Sequence, residues 1–464
     1  MDTLIKNNTF IDEDKINDLI SKKTVLKERA NEILNKAMLA NGLTLEESAE
    51  LLNIEDEEIL EKLFKAAKII KEKIYGKRIV LFAPLYASNV CTNNCVYCAF
   101  RRDNKNIERK ILTPAEVVEE AKAIMRMGHK RIILLTGEDY KDTGLDYLQE
   151  IMDRIYKAKE LNGEIRRINV NIAPLSVEDF KRLNTFGIGT YQVFQETYHK
   201  ETYVKVHPSG KKANYEWRLE AMDRAIEAGI NDLGIGPLFG LADYKFETLA
   251  TLMHAEYMDK IGVGPHTISV PRIEHAQGVE FSDNPPAQMS DRDFKKLVSV
   301  IRLAVPYTGM VLSTRETPQL RREIIELGIS QISAASQTNP GGYHVYKSAT
   351  SQFKTGDNRS LEDMVVELCE HGFLPSFCTS CYRVGRVGRK FMEHAKTGHI
   401  HTYCEPNALA TFKEYLLDYA AEKTKLLGEK VIAQHLTEIE EPEMQELAKK
   451  QLNAIIQGKR DLHV

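Results

Sequence analysis

Two apolar rhythms alternate along the middle of the chain. Short runs rich in valine, isoleucine and leucine occur at residues 78–86, 131–137, 167–175, 190–198, 232–241, 266–273, 309–316 and 330–336. Between them lie stretches with apolar residues three and four apart, among them PAEVVEEAKAIMRMG (114–128), ANYEWRLEAMDRAIEAG (213–229), SDRDFKKLVSVIRLA (290–304) and QLRREIIELG (319–328). The first rhythm is that of buried strands, the second that of helices with one apolar stripe. Several helical stretches end on glycine, which supplies the left-handed residue that closes a helix. Eight strand-to-helix alternations predict an α/β fold, a closed parallel (β/α)8 barrel of TIM type, with a partial or open barrel as the alternative.

The flanks read differently. Residues 1–76 carry amphipathic helical patterns, GLTLEESAELL and DEEILEKLFKAAKIIKEKIYG, and no strand run. The barrel pattern fills 77–371, and 372–464 holds a cysteine-bearing segment followed by helices through KEYLLDYAAEKTKLLGEKVIAQHL. Hydrophobic residues make up 43% of the 464 residues, so a large core is available and disorder is not expected. A net charge of −4 supplies no basic field for nucleic acid. The polar, acidic start MDTLIKNNTFIDEDKINDLI has no basic segment followed by an apolar run, and no stretch is apolar enough to span a membrane. A cytoplasmic protein is expected.

Six of the seven cysteines fall into two tight groups, which in a chain without a secretion signal favours metal ligation over disulfides. The seventh, Cys369, sits in the helical pattern MVVELCEHG and reads as a small buried residue. Cys91, Cys95 and Cys98 have the spacing Cys-x3-Cys-x2-Cys. Three thiolates on a short loop suit three irons of a 4Fe–4S cluster, leaving the fourth iron open to an outside ligand. Zinc, the competing metal, usually takes four ligands in paired knuckles. The spacing resembles the signature of the radical S-adenosylmethionine (SAM) enzymes. That resemblance implies that SAM occupies the open iron and is cleaved to a 5′-deoxyadenosyl radical, and that Phe100 packs near the adenine. On the barrel, this loop follows the first strand at the mouth where barrel chemistry sits.

The second group, Cys378, Cys381 and Cys404, is spaced Cys-x2-Cys-x22-Cys. An iron–sulfur cluster with one iron free of cysteine fits it, and Arg383, Arg386, Arg389 and Lys390 could offset the cluster's charge. A zinc site completed by His394, His399 or His401 fits as well.

Together the two cysteine groups resemble the HydG family, the radical SAM tyrosine lyases of FeFe-hydrogenase maturation. The likeness runs through GKRIVLFAPLY, IRRINVNIA, FQETYHKETY, GVGPHTISVPR, LSTRE, FKEYLLDY and GKRDLHV. The tyrosine lyase of thiamine biosynthesis is similar in barrel and first cluster but lacks the second cysteine group. The resemblance implies scission of the Cα–Cβ bond of tyrosine to p-cresol and dehydroglycine. It further implies conversion of that fragment to carbon monoxide and cyanide at an auxiliary iron–sulfur cluster with an extra iron, held partly by His266. Without it, His266 reads as ordinary packing. Flavodoxin or ferredoxin is implied as electron donor, with hydrogenase-maturation proteins as partners.

Other candidates follow from position. Thr136, Gly137, Glu138 and Asp139 end the second strand, where a backbone edge can take the SAM amino group as the family motif does; the alternative is an acidic loop. Arg315 ends the seventh strand and offers a planar fork to a substrate carboxylate, unless it pairs with Glu316. Gln195, Glu196 and Tyr198 close the fourth strand. Beyond SVPR the chain reads IEHAQG where the family typically has LRP, so Glu274 and His275 are candidate catalytic groups. NIAPLS, LTGEDY and Ala335 also depart from the family pattern at strand ends, where barrels choose substrates. Two alternatives therefore stand beside the tyrosine lyase: a paralogue acting on another amino acid or making another metal ligand, and a non-catalytic iron–sulfur scaffold.

Overall fold

All eight apolar runs become parallel strands. They are β1 Arg78–Ser88, β2 Arg131–Thr136, β3 Arg167–Asn171, β4 Tyr191–Gln192, β5 Leu233–Ile235, β6 Thr267–Ser269, β7 Gly309–Leu312 and β8 Gln331–Ser333. The computed structural model describes residues 10–22, 25–344 and 350–464. Its strands follow in order from β2 to β8, then β1, and β1 pairs back onto β2 from Ala83↔Ile132 to Ser88↔Thr136. The barrel is closed. A ninth strand, β9 Leu374–Ser376, pairs with Arg78–Val80 at the start of β1. Three residues with a central proline carry no strand pattern, and proline is tolerated there because the strand sits at an edge.

The helices form where their ends are satisfied. Helix Pro114–Met127 is representative: Thr113 accepts from the Glu116 N–H, the Glu116 carboxylate accepts from the Thr113 N–H, and Gly128 ends the helix at φ +102°. Its buried stripe, Val117, Ala121, Ile124 and Met125, faces the barrel wall. The amino-terminal helices Glu13–Ser21, Leu45–Leu52 and Glu57–Tyr75 lie against the outer helices Tyr244–Lys260 and Asp291–Ala304, and Lys27–Ala37 packs on Leu45–Leu52 and Glu57–Tyr75. One continuous buried core runs from Ile11 to Leu452.

Helix Ile400–Asp418 carries the last cysteine and is fixed to the amino-terminal end of the barrel by charge. Fully buried Glu414 lies 3.2 Å from Lys130 Nζ and 2.9 Å from Arg166 Nη2, on the residues leading into β2 and β3. Its other oxygen accepts from the Asp461 N–H at 2.6 Å. No helix among the described residues is long and apolar enough to cross a membrane.

Candidate functional site

The first cysteine group lines a cavity of about 220 Å³ at the carboxyl ends of the strands. Polar bonds shape its loop. The Asn89 side chain donates to the Glu108 carbonyl and accepts from the Lys110 N–H, both at 2.7 Å. Arg109 donates to the carbonyls of Asn89 and Phe100, each at 2.8 Å. Cys91, Cys95, Cys98 and Phe100 face the cavity, and none of the three thiols is in a disulfide. Burial pushes Cys91 and Cys98 up to about 11 and Cys95 up to about 12. Such thiols hold their protons until a metal displaces them. Soft, buried donors spaced around a cavity suit iron in a cluster.

The turn after β2 braces this loop. Gly137 donates to the Ser88 carbonyl at 2.9 Å, and a Cβ on it would lie 2.1 Å from the Val90 carbonyl oxygen, so only glycine fits. Thr136, Gly137 and Glu138 line the cavity. Asp139 turns away: its carboxylate accepts from the N–H groups of Lys141 and Asp142 and holds the turn. The Glu138 carboxylate accepts from Asn93 at 2.7 Å and from Arg218 at 2.8 Å. Burial would raise its pKa, but Arg218 and Lys212 outweigh that and keep the carboxyl below its usual range. Lys212 lies 2.5 Å from Glu196, which lines the cavity at φ +71°, a left-handed conformation costing about 1–2 kcal/mol in a residue with a side chain. Gln195 and Tyr198 do not reach the cavity; the Tyr198 hydroxyl is 2.9 Å from His254 Nδ1 in the outer layer.

The opposite rim carries Arg315, Glu274 and Phe353. Arg315 stacks with its guanidinium carbon 3.4 Å from the Phe353 ring centroid and donates to the Arg272 carbonyl at 3.3 Å. Burial lowers its pKa. Glu316 is engaged in a two-pronged pair with Arg272, which also meets Asp291 at 2.9 Å, so Arg315 is left without that partner. His275 does not come to the cavity. It is exposed, with Nδ1 2.5 Å from Asp283 Oδ1, because the chain turns outward after Glu274.

The second cysteine group lines a smaller cavity of about 50 Å³ at the other end of the barrel, with His266, Tyr382, Phe391, Arg78 and Arg131. Strand β1 connects the two: Arg78 and Val80 line this cavity, and Phe82, Pro84 and Tyr86 line the first. Residues two apart share one face of a strand, here the inner one. His266 enters from the start of β6, its ring stacked 4.1 Å from Phe391 and its Nδ1 3.1 Å from Asp232 Oδ2. Burial would raise Asp232, but the His266 ring, Thr190 and Arg131 hold it low.

None of His394, His399 and His401 lines this cavity. His394 packs on Tyr403, and His401 Nε2 is 3.5 Å from Glu405. Of the expected cations, Arg383 pairs with Asp461, whereas Arg386 stacks on Tyr403 and also reaches the Cys381 thiol, lowering its pKa. Arg78 and Arg131, from β1 and β2, line the cavity as well, each with a buried Nε that has no hydrogen-bond partner among the described residues. Burial pushes Cys381 up to about 12 against a lowering influence of Arg386, and raises Cys404 against those of Arg78 and Arg386. Cys369 is buried in its helix, away from both cavities.

The radical SAM superfamily model matches residues 85–255, and the model of the biotin and thiamin synthesis associated domain matches 269–374. The 2-iminoacetate synthase of Escherichia coli (strain K12) is 31% identical over 359 residues, covering 77% of this chain and 93% of the relative. A crystal structure of HydG, described as a maturase of the FeFe-hydrogenase, superposes with a TM-score of 0.95 at 52% identity, covering 98% of this chain and all of the other. HydG from Carboxydothermus hydrogenoformans gives 0.83 at 44% identity, covering 95% and 97%.

Proposed function

The chain belongs to the HydG family of radical SAM enzymes, and on that premise we propose that it is a carbon–carbon lyase cutting the Cα–Cβ bond of L-tyrosine. The products are p-cresol and dehydroglycine, the latter passing to carbon monoxide and cyanide for FeFe-hydrogenase assembly. The observation that carries this reading is the placement of two three-cysteine groups at opposite ends of one barrel, with β6 bringing His266 to the second.

When bound, a 4Fe–4S cluster and SAM supply an electron and a 5′-deoxyadenosyl radical to the first cavity. Cys91, Cys95 and Cys98 would hold three irons and leave the fourth for SAM. The backbone of Thr136, Gly137 and Glu138 offers an edge to the amino end of SAM, and Phe100 a face to its adenine. Lys212 and Arg218 keep positive charge in the same wall. Arg315 takes the substrate carboxylate. At the far end Cys378, Cys381 and Cys404 would hold the auxiliary cluster. Asp232 beside His266 Nδ1 leaves Nε2 as the ligating nitrogen, the usual arrangement of a carboxylate behind a metal-binding histidine.

We assign the electron to a soluble donor such as flavodoxin or ferredoxin, the product to hydrogenase-maturation proteins, and the site of action to the cytoplasm. Glu274, an acid in the cavity where the resemblance leads one to expect an arginine, favours as a second reading a paralogue that acts on another amino acid. A passive iron–sulfur carrier has no use for the open cavity beside the first group.

Arg315→Lys tests the substrate anchor. An ammonium cannot reproduce the guanidinium fork, and losing a buried charge pair costs about 2–5 kcal/mol. The variant should therefore fall at least about 30-fold in kcat/KM for p-cresol formation. Activity within about threefold of wild type, under 1 kcal/mol, removes Arg315 from this role.

A further inference from the structure

The acids around the first cavity are engaged, except one. Glu138 is held by Arg218 and Asn93, and Glu196 by Lys212. Behind the rim, Glu316 is held by Arg272. Glu274 lines the cavity half-buried, and its carboxylate forms no hydrogen bond or ion pair with any of the described residues. Its backbone is fixed: the Phe239 N–H donates to the Pro271 carbonyl and the Ile273 N–H to the Phe239 carbonyl, both at 2.9 Å, tying the rim to the loop after β5.

Arg315 stands in the same cavity, equally without an ion pair among the described residues. Glu274 and Arg315 act on each other's charge across the cavity but make no ion pair, so each stays partly desolvated without a direct partner, which is costly in the empty protein. A ligand carrying both charges relieves both. Resting on the reading of Arg315 as the carboxylate anchor, we propose that Glu274 receives the α-ammonium of the amino-acid substrate, so that the cavity selects zwitterions over the corresponding des-amino acids. Burial and the nearby Glu316 raise the Glu274 pKa and outweigh the lowering influence of Arg315, Arg272 and Lys354, none of which forms an ion pair with it.

The test is equilibrium binding to the reconstituted holoenzyme with SAM and no reductant, using tyrosine, 3-(4-hydroxyphenyl)propanoate, which lacks the amino group, and phenylalanine, which lacks the phenol. A hydrogen bond to a charged group predicts that wild type prefers tyrosine to the propanoate by at least about tenfold. Glu274→Gln, nearly isosteric, should bring that preference to within about threefold by weakening tyrosine, while Glu274→Asp keeps part of it. The preference for tyrosine over phenylalanine should stay. An unchanged tyrosine-to-propanoate ratio in Glu274→Gln, or a change confined to the phenylalanine ratio, overturns the proposal. The two readings fail separately. Absence of p-cresol from reduced wild type overturns the lyase, whereas p-cresol formation with an unmoved ratio overturns the ammonium assignment alone.

Discussion

Replacing Cys91, Cys95 and Cys98 together by alanine should abolish 5′-deoxyadenosine formation and all tyrosine cleavage, and still leave the second cysteine group able to bind iron. The three thiols sit on one loop of the first cavity, and among the described residues nothing else lining that cavity is a soft ligand. Loss of one cluster should remove about four irons per chain after anaerobic reconstitution. The remaining iron should give the electron paramagnetic resonance signal of the second site alone, since Cys378, Cys381 and Cys404 lie at the other end of β1. Arg109 and Asn89 fix the loop through backbone carbonyls and amides, so the loop keeps its path without the thiols. Persistent 5′-deoxyadenosine in the triple variant would overturn the assignment of these cysteines.

The second large effect is a separation of products. Cys378→Ala with Cys381→Ala should still release p-cresol, because scission needs only the first cavity, yet carbon monoxide should fall below detection. The buried charges that carry helix Ile400–Asp418, Glu414 with Lys130 and Arg166, are untouched by these changes, so the barrel end should stay assembled. Carbon monoxide at wild-type yield would make the second group structural, and zinc its natural occupant. The histidines inside the cysteine span would still not serve as the fourth ligand where they stand; His266 is the imidazole in the cavity.

The barrel was legible because parallel strands buried on both faces read as apolar runs, and even the two-residue β4 lies within such a run. Strand β9 was not, since Leu374–Ser376 owes its pairing to the free edge at the start of β1. Spacing along the chain exposed both cysteine groups, and family likeness pointed to His266. Nothing local pointed to Asp232, which matters only because β5 and β6 are neighbours. Arg218 lies in a helical pattern and Lys212 just before it, with no local signal of burial, and their burial follows from Glu138 and Glu196 arriving from other strands. The expectation for His275 was lost to backbone direction, its side chain facing Asp283 outside, whereas the Asp139 side chain caps the turn whose backbone edge was the expected contact. Ala335, where the family pattern has glycine, sits at φ +52°, the conformation glycine would adopt without strain.

The central claim is that the first cavity cleaves tyrosine, and its most direct measurement is product analysis of the reconstituted wild-type protein with SAM, a reductant and tyrosine under anaerobic conditions. The account predicts p-cresol and 5′-deoxyadenosine appearing together in comparable amounts, both dependent on tyrosine. No p-cresol, with 5′-deoxyadenosine formation stimulated by a different amino acid, would contradict it and establish the paralogue in its place.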